Sequence, residues 1–234
     1  MNRAAVAENF PAVAVLALSL CAGNLFYGGL ETGYARLRDA SGLAPSIKRL
    51  QFPFPQEFKG FISDWCYIQA DQYFHDGAWT KIAPLLRLRA ILMPERTNSW
   101  TTGAWHLAFN LSDQATDPAE HDRFIRVGID FLNEGIRRHP DVAHLYFDLA
   151  WTYYMRRADY PSAIRFFKKS LDLEYAWRTV TWIAYMLHKS GRYAEEAEVW
   201  GDYLKRFPGD AKAQTHLESA REAQNLKTQN GGPA

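Results

Sequence analysis

The residues able to do chemistry are few and scattered. Seven histidines, at 75, 106, 121, 139, 144, 188 and 216, never stand four apart, the spacing a helical metal pair requires. His139 and His144 flank Pro140, where a cation complements helix-end carbonyls, so both are predicted to cap rather than to ligate. The two cysteines, Cys21 and Cys66, form no C-x-x-C pair, and Cys21 lies in the most hydrophobic stretch of the chain, so no disulfide is expected. Cys66 reads as a small hydrophobe. No Gly-rich phosphate loop, G-x-S-x-G elbow or H-E-x-x-H pair occurs. The expectation is a protein that is not an enzyme and uses no cofactor and no metal. What the sequence does have is rings: 15% of its 234 residues are Phe, Trp or Tyr, and 47% are hydrophobic, enough to bury a core. Net charge is +1, from 27 Lys and Arg against 26 Asp and Glu, with no block of either sign, so nucleic acid is not an expected partner.

From Phe10 to Leu30 no residue is charged, which matches the ~20 residues that span a bilayer. We expect residues 10–30, after a flank at 1–9, to form an uncleaved transmembrane or signal-anchor helix, because Phe26 and Tyr27 suit a membrane interface. A cleaved signal, with Ala12–Leu20 as its apolar core and Cys21-Ala22-Gly23 as its small-residue site, competes with that reading. A lipoprotein site is disfavoured by the large Leu20 before the cysteine. Arg36 and Arg38 against Arg3 favour a cytoplasmic domain, while the likeness to a secretion signal favours a periplasmic, exported one, which is our expectation. Residues 31–62 contain Pro45, Pro53 and Pro55, which forbid one continuous helix, and predict a linker: a short helix followed by an extended strap.

The rest of the chain repeats. Ala70, Ala104, Ala150 and Ala184 each sit in an aromatic, helix-like setting, at spacings of 34, 46 and 34. Pro94 and Pro140 repeat the 46, and Pro208 follows two further periods of 34 on, with Glu174 at the skipped place. Each unit reads as helix, turn, helix, which predicts an all-α solenoid of helical hairpins. Four units are expected, 63–96, 97–142, 143–176 and 177–210, the second carrying an inserted loop at 112–122. In the fourth, Gly191 makes the turn, Tyr193 plugs the hairpin and Pro208 ends the second helix. The small alanine lets two helices approach where they cross. Residues 211–226 are predicted as a polar-faced capping helix and 227–234 as a loose tail.

Over residues 63–210 this pattern resembles the tetratricopeptide repeat (TPR) family. Ala70, Tyr73, Gly77, Trp79 and Pro94 fall in its register, as do Ala184, Gly191, Tyr193, Trp200 and Pro208. Ile82 and Arg89 depart from it, standing where small residues are usual.

The resemblance implies a concave groove lined from positions three before, one after and four after each small alanine. These are Tyr67, Asp71 and Phe74; Thr101, Trp105 and Ala108; Phe147, Trp151 and Tyr154; and Thr181, Tyr185 and His188. Members that grip a partner's C-terminal carboxylate use Lys, Asn and Arg there, and Tyr67 and Asp71 stand in their place. The groove is expected either to seat a protein partner or to pack on itself. The function expected is a membrane-anchored scaffold or assembly factor of a bacterial envelope. The alternative is an accessory subunit of a membrane complex, held through its hydrophobic helix.

Overall fold

The computed structural model describes residues 56–229, and within them every regular element is helical. The hydrophobic stretch 10–30 and most of the proline strap lie outside these residues. Among the described residues no helix is long and apolar enough to cross a membrane.

Among the described residues nine α-helices of nine or more residues follow one another: α1 (Gln56–His75), α2 (Ile82–Leu92), α3 (Thr97–Trp105), α4 (Pro118–Arg138), α5 (Ala143–Thr152), α6 (Tyr160–Leu173), α7 (Trp177–Lys189), α8 (Tyr193–Arg206) and α9 (Ala211–Gln229). They pair as hairpins α1/α2, α3/α4, α5/α6 and α7/α8, and α9 packs on α8. Residues 56–62, predicted as the end of the strap, belong to α1. Pro55 blocks a helix running through it but not one that starts behind it.

All four register alanines are buried. Ala150 meets Ala163, Ile164 and Phe167 of α6, and Ala184 lies with Trp200 and Tyr203 of α8. In the second hairpin the approach is close enough to exclude a methyl. A Cβ placed on Gly128 would stand 2.7 Å from the Ala108 Cβ and 3.0 Å from the Ala104 carbonyl oxygen.

The turns share one device. Gly77 (φ 71°) and Gly191 (φ 66°) take the left-handed conformation that lets the chain reverse, and Ala158 (φ 49°) takes it in the third hairpin without a glycine's freedom. Asp159 then caps α6, its side chain accepting from the Ser162 amide at 3.0 Å.

The inserted loop at 112–122 is a correction. Residues 112–114 continue the helix that began as α3, and α4 already starts at Pro118. The extra residues lengthen both helices, leaving only 115–117 between them. Asp117 accepts from the Ala119 amide at 3.0 Å and Pro118 fills the first turn, so this polar run is a helix start. The capping helix likewise runs to Gln229, past the predicted 226. Lys227 Nζ donates to the Gly191 carbonyl at 3.0 Å and ties its end to the last turn.

Two helices change pitch. α3 passes through a π-helical segment, His106–Leu111, and α5 through another, Tyr153–Arg157. The wider winding displaces carbonyls that need donors. The single Ser112 hydroxyl hydrogen is shared between the Ala108 and Phe109 carbonyls, 2.7 and 3.1 Å from Oγ, and Arg156 Nη2 donates to the Phe109 carbonyl at 3.2 Å.

Candidate partner-binding surface

The first helices of the hairpins, α1, α3, α5 and α7, carry the residues predicted to face a partner. Trp105 and Tyr185, each one place after a register alanine, are 49% and 41% exposed. Trp105 stacks on Phe109 with ring centroids 4.1 Å apart and 13° between planes. Tyr67 is 36% exposed, with the Arg89 guanidinium 4.5 Å from its ring centre. Asp71 is exposed and stands 3.8 Å from His75. Phe74 is half-buried, edge-on to Trp79 at 5.3 Å and to His106 at 6.3 Å. Thr101 and Thr181 are half-buried, each hydroxyl donating to the carbonyl three residues back.

On α5 and α7 the rings pack on one another. Trp151 meets Trp182 edge-to-face at 4.8 Å, and Tyr154 lies within 5.5 to 6.2 Å of Trp182, Tyr160 and Tyr185. Tyr185 also meets Trp182 edge-on at 5.7 Å. Phe147 turns its edge to Phe167 at 5.0 Å and carries the Arg178 guanidinium on its face at 4.2 Å. His188 is exposed, but its Nδ1 lies 2.8 Å from Oε2 of the buried Glu196 on α8, which commits one ring nitrogen to the hairpin.

Ala108 does not face the groove. It is fully buried against Gly128, and Phe109, stacked on the exposed Trp105, is buried as well. Counting an α-helical turn from Ala104 misses the extra residue that the π segment adds.

Sequence reasoning missed Trp182, Tyr160 and His106, which complete the ring clusters, and Arg178. Arg178 is six places before Ala184, so carrying the groove stripe one turn further toward the helix start would have reached it. Asn110 Nδ2 donates to His106 Nδ1 at 3.0 Å, since the nitrogen it meets must accept. Burial holds the His106 imidazole below its ordinary proton affinity, with Asp71 opposing and Arg89 reinforcing that shift. Asp148, beside Phe147, has its carboxyl raised to about 6 by burial, which Arg178 partly offsets. Burial pushes the Cys66 thiol up to about 12, so it is inert. Among the described residues no three His, Cys, Asp or Glu gather as a metal site. His139 does not cap its own helix with its ring. Its Nε2 lies 2.5 Å from the Pro94 carbonyl, a pure acceptor, and joins the first two hairpins.

Helical hairpins in register, each with a buried small residue at the crossing and a left-handed turn residue in three of four, define a TPR-type array. No family model matches the chain, and no curated protein does. Among solved structures it is similar to TTC0263, a thermophilic TPR protein of Thermus thermophilus (18% identity, TM-score 0.48, covering 68% of this chain and 80% of that one). It is also similar to MamA protein (13% identity, TM-score 0.49, covering 73% and 86%).

Proposed function

We propose that the chain is a protein-interaction scaffold or assembly factor that seats a partner segment on the aromatic face of α1, α3, α5 and α7. The observation that carries this reading is the pair Trp105 and Tyr185. Two large rings occupy the same register position in different hairpins, stay in solvent, and are fixed by other rings. Rigid aromatic anchors lose little conformational freedom on binding, and truncating one typically weakens a complex by ~1 kcal/mol or more. On this reading the uncharged stretch 10–30 anchors the array to a bacterial envelope membrane, with the array on the exported side. That same stretch favours a second reading, an accessory subunit held in a membrane complex through its N-terminal segment.

A photo-crosslinking amino acid placed at 105 or 185 of the full-length chain in native membranes tests the first reading. Both positions should give the same discrete adduct, and position 226, exposed on α9, should not. An identical adduct at 226, or none at 105 and 185, overturns it. Replacing residues 1–30 with an unrelated anchor separates the two readings: the adduct survives for a scaffold and is lost for a subunit held by that segment.

A further inference from the structure

Arg89 lies on α2, where the repeat pattern has a small residue, and its side chain reaches across to α1. It is 8% exposed, with the guanidinium over the Tyr67 ring and close enough to His106 to depress its protonation. Arg89 Nε and Nη1 are buried and have no acceptor. The carboxylate nearest in charge terms is Asp64, but it is held by Arg96 Nη1 at 2.7 Å. The other acid bearing on the site, Asp71, sits beside His75. A guanidinium drawn from water with two donors unmet is a costly thing to keep, and its planar fork offers a carboxylate Nη2 together with one of the two unmet donors. Tyr67, over Arg89 on α1, and Trp105, next in sequence to His106 on α3, are both exposed rings, so a segment lying on both would meet Arg89 along its length and not at its end. That geometry fits an acidic side chain within a partner segment, where a chain terminus would leave one of the two rings unused.

We infer that Arg89, framed by Tyr67 and His106, is a binding subsite for the carboxylate of an aspartate or glutamate side chain in the partner segment. The inference rests on the partner-binding reading above and adds a charge requirement that the aromatic face alone does not impose. Binding swings the Tyr67 ring off the guanidinium and supplies one of the missing acceptors. The absent clamp of Lys, Asn and Arg is not rebuilt here, because the donor comes from the second helix of its hairpin and meets an internal acid.

The test uses the full-length chain and a defined probe, a pool of N-acetylated, C-amidated octapeptides with one fixed glutamate. The same pool with glutamine in that place, and the glutamine pool with a free C-terminal carboxylate, are the comparisons. The glutamate pool should bind ~10-fold or more tightly than the glutamine pool at low salt, since the bond is charge-assisted. Arg89→Met should abolish that preference with no loss of folding stability, because it removes the unmet donors and keeps the apolar stem. Arg89→Lys, which keeps charge but not the fork, should lose most of it. Equal binding of both amidated pools, no binding of either, or a preference that survives Arg89→Met overturns the inference. Preference for the free-carboxylate pool that Arg89→Met removes overturns the side-chain assignment. If the preference fails while positions 105 and 185 still crosslink one partner, the aromatic-face reading stands without the acidic subsite.

Discussion

Gly128 and Gly201 both lie inside helices, and the same substitution should move stability in opposite directions at the two sites. In α8, a Cβ on Gly201 would meet nothing within 4 Å, so Gly201→Ala acts through the backbone alone. It should stabilise by about 0.5–1 kcal/mol, the difference between glycine and alanine in a helix interior. In α4, Gly128→Ala gains the same helix term but places its methyl 2.7 Å from the Ala108 Cβ and 3.0 Å from both the Ala108 nitrogen and the Ala104 oxygen. Carbon atoms rest about 3.5–4.0 Å apart, so the two helices would have to separate by roughly 1 Å. All three obstacles are backbone or Cβ atoms, so no side chain can turn aside. Overpacking of this kind costs ~1–3 kcal/mol, and with no side chain to move the upper part of that range applies, which leaves a net loss of up to about 2.5 kcal/mol after the helix gain. Repeat arrays need not unfold in one step, so urea unfolding of the full-length chain should be read beside hydrogen exchange of amides in α3 and α7. Gly128→Ala should loosen α3 and leave α7 unchanged. A Gly128→Ala protein as stable as Gly201→Ala would refute close approach at Ala104 as what sets this hairpin.

The left-handed turns give a reciprocal pair: Gly191→Ala should cost about 1 kcal/mol and Ala158→Gly should recover up to about as much, read as midpoint shifts in urea. Asp148 sets a pH dependence whose sign follows from its raised carboxyl, protonated in the fold while ionised in the unfolded chain between 3.8 and about 6. Its contribution is present below pH 4 and lost as pH rises through 6, by at most about 3 kcal/mol at about 1.4 kcal/mol per pH unit. Asp148→Asn should flatten the slope of stability between pH 4 and 6, and an unchanged slope refutes the assignment. Arg156 joins Asp113 at 2.8 Å and the Phe109 carbonyl, so Arg156→Met should destabilise by about 1.5–3 kcal/mol and speed exchange in the π segment of α3.

What was legible in the sequence was whatever depends on neighbours along the chain. The four alanines, the turn glycines and Pro208 act within a turn or a hairpin, so spacing alone placed them. Asp117-Pro118 was also legible as a helix start, a cap followed by a first-turn proline, although the polar run around it looks like a loop. The π segment of α3 was not, because one of its displaced carbonyls is met by Arg156, a residue 47 positions away. With that one added residue Ala108 lies in the core, and Phe109 is buried against the exposed Trp105. Arg89 was visible as an anomaly of size, but only the structure shows where its guanidinium goes.

Self-packing and partner binding, set against each other in the sequence reading, need not exclude one another on this face. Trp151, Tyr154 and Trp182 pack among other rings and Phe147 carries Arg178 on one face, so these four are only partly exposed. Their packing fixes the neighbours that are exposed. Tyr185 is braced edge-on by Trp182 and Tyr154, and Trp105 lies flat on Phe109, whose face the paired Arg156 also covers at 4.3 Å. Edge-to-face and offset contacts of this sort are worth about 0.5–1.5 kcal/mol each, enough to hold a ring to one orientation. A partner meeting such rings spends less ordering them, which is how pre-organisation raises affinity without enlarging an interface. On the proposed reading, loss of a buried ring should therefore weaken binding through the exposed one it supports. Trp182→Leu should reduce partner crosslinking at 185 and leave crosslinking at 105 unchanged. An equal drop at both positions would mean the cluster acts by holding the hairpins together, not by aiming Tyr185.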